Sequence, residues 1–198
     1  MRYLPVMLLI LTLLFFTGCE AEPPDEENDV ALPVMGLVDE PPAIDGSNAE
    51  YPADPVTELG MEIHMAHDGT YFYVHVRAEG EGWVAVGLNT RGGGMDGANM
   101  VLGYDDEGTP AFRDDAGRGR THSEADTTAV DNFYFSREDG AAVMEFAYPL
   151  SFPEGEGYNI DEMVPGESYT MILALHGTSD DISRQHSERG SIDFTVEP

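Results

Sequence analysis

Lysine is absent from the 198 residues, and the nine basic side chains are all arginine. Against them stand 38 acidic residues, for a net charge of −29. A surface of that sign repels nucleic acid and anionic lipid, so neither is expected as a partner through a basic patch. It suits a basic partner, or a saline medium that screens the repulsion. Cysteine is nearly as scarce. Cys19 stands alone, which rules out an intrachain disulfide and any zinc site built on several thiolates. Helical periodicity is missing too: beyond residue 33 no long stretch repeats its apolar residues every 3.6 positions.

What remains is an ordinary apolar fraction of 41%, broken by 22 glycines and 13 prolines. That is enough for one domain with a real core. The short apolar runs alternate with turn residues, which predicts an all-β chain of about nine to eleven strands folded as an antiparallel β-sandwich. Glu138-Asp139-Gly140 between Asn132–Ser136 and Ala142–Tyr148 is a hairpin signal, as is His67-Asp68-Gly69-Thr70 before Tyr71–Ala78. Phe72, Val74, Val76 and Ala78 fall on one face of that last strand. Tyr71, Tyr73, His75 and Arg77 fall on the other, a face that is either solvated or lines a pocket. Ala111–Asp114 reads as a short strand, Ala116–Asp126 and Thr178–Gly190 as polar loops, and Ser151–Gly166 as a long irregular connection.

The first 19 residues read as a targeting segment. Arg2 precedes an apolar run from Leu4 to Phe16, too short to span a membrane comfortably. It ends in Phe16-Thr17-Gly18-Cys19, which resembles a bacterial lipobox with phenylalanine where leucine is usual. The expected organisation is therefore a lipoprotein signal peptide (1–19), an acidic disordered tether (20–33) and one folded domain (34–198). Cys19 would carry the lipid, so that the exported protein is anchored to the bacterial cell envelope, facing the periplasm or the cell surface.

The centre of the folded part is Trp83 to Tyr104. Two apolar runs, Trp83–Leu88 and Met100–Tyr104, read as buried strands around Arg91-Gly92-Gly93-Gly94-Met95-Asp96-Gly97. Glycines there let the backbone take positive φ and pass close to a neighbour. Met95 is the one large soft side chain in that loop. Its thioether either fills a gap in the core or serves as a weak ligand to a soft or borderline metal.

Three segments together resemble the DOMON domain, an immunoglobulin-like β-sandwich whose members bind b-type haem or sugars. They are Gly82-Trp83-Val84-Ala85-Val86-Gly87-Leu88, then Met95-Asp96-Gly97-Ala98-Asn99-Met100-Val101-Leu102-Gly103-Tyr104, and then Ile172-Leu173-Ala174-Leu175 followed by His186-Ser187-Glu188-Arg189-Gly190. The resemblance spans roughly Ala43 to Val196. It implies that Met95 and His186 are the two axial ligands of a haem b iron, with His176 as the fallback histidine. It also implies single-electron transfer, since a six-coordinate iron has no open position. Trp83, Phe72, Tyr73 and Met100 would neighbour the porphyrin, and Arg189 or Arg91 would face a propionate. A redox protein is then the expected partner. Ala43-Ile44-Asp45-Gly46 resembles the opening of carbohydrate-binding modules, which keeps open a sugar- or small-molecule-binding lipoprotein with Tyr71 and Tyr73 as an exposed platform. A docking domain without a cofactor is the third class.

No nucleophile–base pair stands out, so an enzyme acting alone is not expected. His64, His67 and His75 read as surface or satisfied structural residues, and His122 sits in a charged loop without a Ser–His–acid arrangement. The clusters Asp105-Asp106-Glu107, Asp114-Asp115 and Asp180-Asp181 carry calcium-type ligands but match no known calcium loop.

Overall fold

A computed structural model describes residues 31–90, 94–125, 128–152 and 162–198. These lie in one compact unit, Ala31–Pro198. The targeting segment, Cys19 and Arg91 lie outside the described residues. Among those described there is no helix; twelve strands carry the fold. They are β1 (Val34–Leu37), β2 (Val56–Glu58), β3 (Met61–His67), β4 (Tyr71–Glu79), β5 (Val84–Thr90), β6 (Asn99–Asp106), β7 (Thr109–Arg118), β8 (Thr121–Glu124), β9 (Asn132–Glu138), β10 (Ala141–Pro149), β11 (Ser168–Leu175) and β12 (Glu188–Val196).

The strand order is β8-β7-β6-β5-β11-β12-β1-β3-β4-β10-β9, with β2 paired to β3. All neighbours are antiparallel except at β1. Val34 and Met35 run parallel to β12, and Gly36 and Leu37 run parallel to β3. β1 thus stitches two layers together: β8, β7, β6, β5, β11 and β12 form the first, and β3, β4, β10, β9 and β2 the second. The sheet is therefore mixed rather than purely antiparallel.

Alternation decides what lies between the layers. Phe72, Val74 and Val76 of β4, Met144, Phe146 and Tyr148 of β10, Val84, Val86 and Leu88 of β5, and Met171 and Phe194 are all fully or almost fully buried in one cluster. Phe72 stacks on Tyr148 with centroids 5.6 Å apart. Each large side chain removed from water here contributes about 1.5–3 kcal/mol.

Three sequence expectations change. β7 runs on to Arg118 and turns through Gly119 (φ +62°) into β8, with Arg118 opposite Thr121, so most of the polar loop expected at Ala116–Asp126 is a hairpin. β12 begins at Glu188, which places Arg189 and Gly190 in a strand rather than a loop. The short β2 had no sequence signal. In the long connection, Ser151 and Glu162 form an antiparallel bridge.

The outward face of the second layer is covered. Residues 43–52 lie over it, because the buried Glu145 carboxylate accepts N–H bonds from Asp45 (3.0 Å) and Gly46 (2.7 Å) and the Tyr51 hydroxyl (2.9 Å). Gly46 has φ +88°, and a Cβ there would fall 2.4 Å from the Tyr134 ring. Of the two readings open for the early histidines, surface or structural, the structure shows the structural one: His64 and His75 lie under this cover, 8% and 3% exposed, and His67, on the opposite face of β3 beside Phe72, is 1% exposed. His64 and His75 lie edge to face at 5.7 Å, and the His75 Nε2 lies 3.1 Å from the Gly46 carbonyl. The Nδ1 of His75 has no hydrogen-bond partner among the described residues. Tyr73 is buried as well, donating its hydroxyl to Asp68 at 2.7 Å, so it offers no exposed platform.

Candidate functional site

The outward face of the first layer is apolar where a sheet facing water is normally polar. Trp83, Ala85, Ala98, Met100 and Leu102 form a second buried cluster there, with Met95, Tyr104, Ile172, Ala174 and Ile182 packed against it. Strand parity puts them together. The register pairs Ala85 with Leu102, Gly87 with Met100, Ala85 with Ala174 and Gly87 with Ile172. Ile172 and Met100 close over Gly87, where a Cβ would meet Ile172 Cγ1 at 2.4 Å. The two interior strands β5 and β11 thus present mostly small side chains to the outside.

Met95 is held at one end of this face. Its carbonyl accepts the Ala98 N–H at 3.0 Å, Gly97 donates to the Gly117 carbonyl, and Gly117 donates back to Ala98 at 2.8 Å. The Asp96 carboxylate accepts the Gly119 N–H at 2.7 Å. A Cβ on Gly117 would fall 1.9 Å from the Met95 carbonyl and 3.3 Å from its Cγ, so the Met95 side chain lies over that glycine. Asp96-Gly97 turns because Gly97 takes φ +79°.

Trp83 is at the other end. Its backbone pairs with Ser179 and His176, and its ring lies 6.4 Å from the His176 ring. The indole N–H is buried without a partner among the described residues. The β11–β12 connection that carries His186 folds over this end, where Ile182 joins the cluster. Asp180 anchors that connection by accepting from Asp105 N–H (3.0 Å) and the Arg137 guanidinium (2.5 Å). His186 is half-buried, and its ring makes no hydrogen bond among the described residues. Arg189 is exposed and is the register partner of Ala174.

The register pairs Val84 with Leu175 and Thr90 with Thr170, so the Met95 and His186 loops leave from opposite ends of the β5–β11 pair. At about 3.3 Å per residue the strand between them is about 20 Å long. Met95 and the His186 loop both border the one apolar face, with Trp83 at its far end and Arg189 at its side. Phe72 and Tyr73 are on the other layer and do not join them.

A group the sequence did not reveal stands at the β7–β8 edge of the same face. The fully buried Asp115 carboxylate receives two bonds from Arg113, one at 2.9 Å, and lies 2.5 Å from His122 Nδ1. These bonds hold the Asp115 pKa below the usual carboxylate value despite its burial. The signal in the sequence was Arg113-x-Asp115 followed by His122, legible only once β7 and β8 are known to pair. Asp114 points the opposite way, into the core, where burial raises its pKa. Its Oδ2 accepts the Ala129 N–H at 2.7 Å, and the Tyr148 hydroxyl lies 3.4 Å from Oδ1. Adjacent aspartates on opposite faces do not make a common calcium site. No cluster of three or more His, Cys, Asp or Glu suited to a metal occurs among the described residues.

Comparison with known proteins places the fold. No curated protein matches the sequence. The cytochrome b domain of pyranose dehydrogenase from Coprinopsis cinerea superposes with a TM-score of 0.53 at 12% identity, over 68% of this chain and 75% of that one. The cytochrome domain of cellobiose dehydrogenase from Myriococcum thermophilum gives 0.51 at 10% identity, over 69% and 74%. A family 9 carbohydrate-binding module from Caldicellulosiruptor kristjanssonii gives 0.49 at 10% identity, over 83% and 94%. At these identities the likeness is one of fold. In sequence the DOMON domain matches residues 57–176, a narrower span than 43–196; it takes in Trp83 and Met95 and leaves His186 and Arg189 beyond its end. With more than half of the chain matched and both layers of the sandwich in place, the protein belongs to the DOMON domain family.

Proposed function

We propose that the apolar outward face of the first layer holds a b-type haem and that the protein transfers single electrons. One observation carries this reading. A soft thioether, Met95, and an indole, Trp83, pack on one apolar cluster outside the sandwich core, in a chain whose net charge is −29. The apolar bed suits the group, but the ligand pair does not meet in this structure: the Met95 and His186 loops leave from opposite ends of a strand about 20 Å long. Thioether and imidazole are the donors that keep iron six-coordinate, and the cluster offers an apolar bed for a porphyrin. Met95 and His186 are the iron-holding residues that the family resemblance implies, with His176 the alternative imidazole beside Trp83; holding one iron with both would require their loops to come together over this face. Arg189, exposed at the edge of the face, would pair with a propionate. Bound haem would supply a one-electron couple raised by its thioether ligand. The chain's own part is to hold that group dry and to present its edge to a redox partner. Kinship with a family whose fold is shared by two cytochrome domains supports the reading. The lipobox-like Phe16–Cys19 adds export and lipid anchoring at Cys19.

The test is an absorption spectrum of the full chain with haemin added and the excess removed. Reduction is expected to sharpen low-spin α and β bands, and Met95→Ala or His186→Ala is expected to abolish them. A broad spectrum identical in parent and variants refutes the haem reading and leaves a binding module for a sugar or another small ligand. Intact-mass measurement of membrane-extracted protein, compared with Cys19→Ala, tests the anchor.

A further inference from the structure

We propose that the Met95 end of this face contains a copper(I) site formed by the Met95 thioether and the His122 imidazole. His122 and Gly117 are directly opposite each other in the β7–β8 pair. Residues so placed have Cβ positions about 4.5–5.5 Å apart. Gly117 has no side chain, and the Met95 Cγ lies 3.3 Å from where its Cβ would be. The methionine therefore occupies the space beside the imidazole.

The imidazole is prepared as a ligand. Asp115 takes its Nδ1, so Nδ1 carries the proton and Nε2 keeps its lone pair. Arg113 holds the same carboxylate from its other side and fixes its direction. A buried carboxylate behind a histidine is the arrangement that orients metal-bound imidazoles. Nε2 has no partner among the described residues. Thioether with imidazole selects a soft, monovalent ion over calcium or magnesium, which prefer oxygen. The site goes beyond the haem reading and shares Met95 with it, so the haem-free chain is the form that would load copper.

The experiment is competition for copper(I) between bicinchoninate and the full chain without haem, under reducing conditions. One equivalent is expected to move to the protein, with sulfur and nitrogen scatterers in its X-ray absorption spectrum. Met95→Leu and His122→Gln should each weaken binding about 10-fold or more, and Asp115→Asn about 10- to 100-fold. His122 is partly exposed, so its variant keeps the fold; the haem spectrum of His122→Gln should equal the parent's. The proposal is overturned if the chelator keeps all the copper, if both ligand variants bind as the parent does, or if His122→Gln loses low-spin haem, because its imidazole then belongs to iron. Failure of the parent to take haem refutes the earlier reading alone and leaves each copper measurement decisive.

Discussion

Glu145 shows how one residue can organise a surface. Its carboxylate is fully buried, and its pKa is raised by that burial, yet it gathers two backbone N–H groups and a tyrosine hydroxyl. Glu145→Gln replaces one acceptor oxygen with a donor facing other donors. A loss of about 1–3 kcal/mol in unfolding free energy is expected by denaturant titration. The buried histidines set a pH dependence. Burial lowers the pKa of both His67 and His75, so the unfolded chain binds protons more readily than the folded one. Their contribution is complete above about pH 6.5 and is lost as pH falls through the window below it, at up to about 1.4 kcal/mol per unit for each ring. Asp114 and Glu145, with raised pKa values, give the opposite slope from about pH 4 upward. The histidine part is therefore read by difference. Thermal midpoints of the parent should fall more steeply from neutral pH to about pH 5 than those of His67→Asn.

Among the elements, the β7–β8 hairpin and the Met95 turn depend on each other. The tight approach at Gly117 makes the test sharp: Gly117→Ala puts a methyl group on the Met95 carbonyl. The expected outcome is about 1–3 kcal/mol of destabilisation and loss of any ligand that needs Met95, read by chemical unfolding and by the haem spectrum. The same hairpin shows where the sequence stops being legible. Hairpins with Asp-Gly turns, such as β9–β10, announce themselves, and so does the alternation of β4. Ala116–Asp126 does not: Gly117 and the charges of Arg118 and Arg120 imitate a loop, and pairing depends on β6 lying alongside. Trp83 and Met95 could be recognised as belonging to one face because family-like motifs flank both. Asp115 and His122 could not, since their partnership exists only across two strands. Which of the two readings held for His64 and His75, surface or structural, was hidden for a related reason. Nothing local to them shows that residues 43–52, tied down by a glutamate 100 positions from Asp45, will cover them.

Over the whole molecule, charge dominates. Nine cations against 38 acids leave few attractive pairs, and Arg113–Asp115 and Arg137–Asp180 are among those formed. Repulsion between exposed acids weakens as the Debye length contracts from about 30 Å at 0.01 M salt to about 3 Å at 1 M. The thermal midpoint should therefore rise with sodium chloride over that range, and a flat or falling profile would contradict it.

The parallel placement of β1 has a mechanical consequence. Val34 lies opposite Thr195 and Met35 opposite Val196, so the two chain ends leave this pair in opposite directions. Tension between residue 31 and residue 198 would load the Thr195–Pro33 and Glu197–Met35 bonds side by side, in shear, instead of peeling them one at a time. Gly36 and Leu37 carry the load on into β3. A domain pulled from its N-terminal side would resist as a clamp, and both layers would have to slip before either opened.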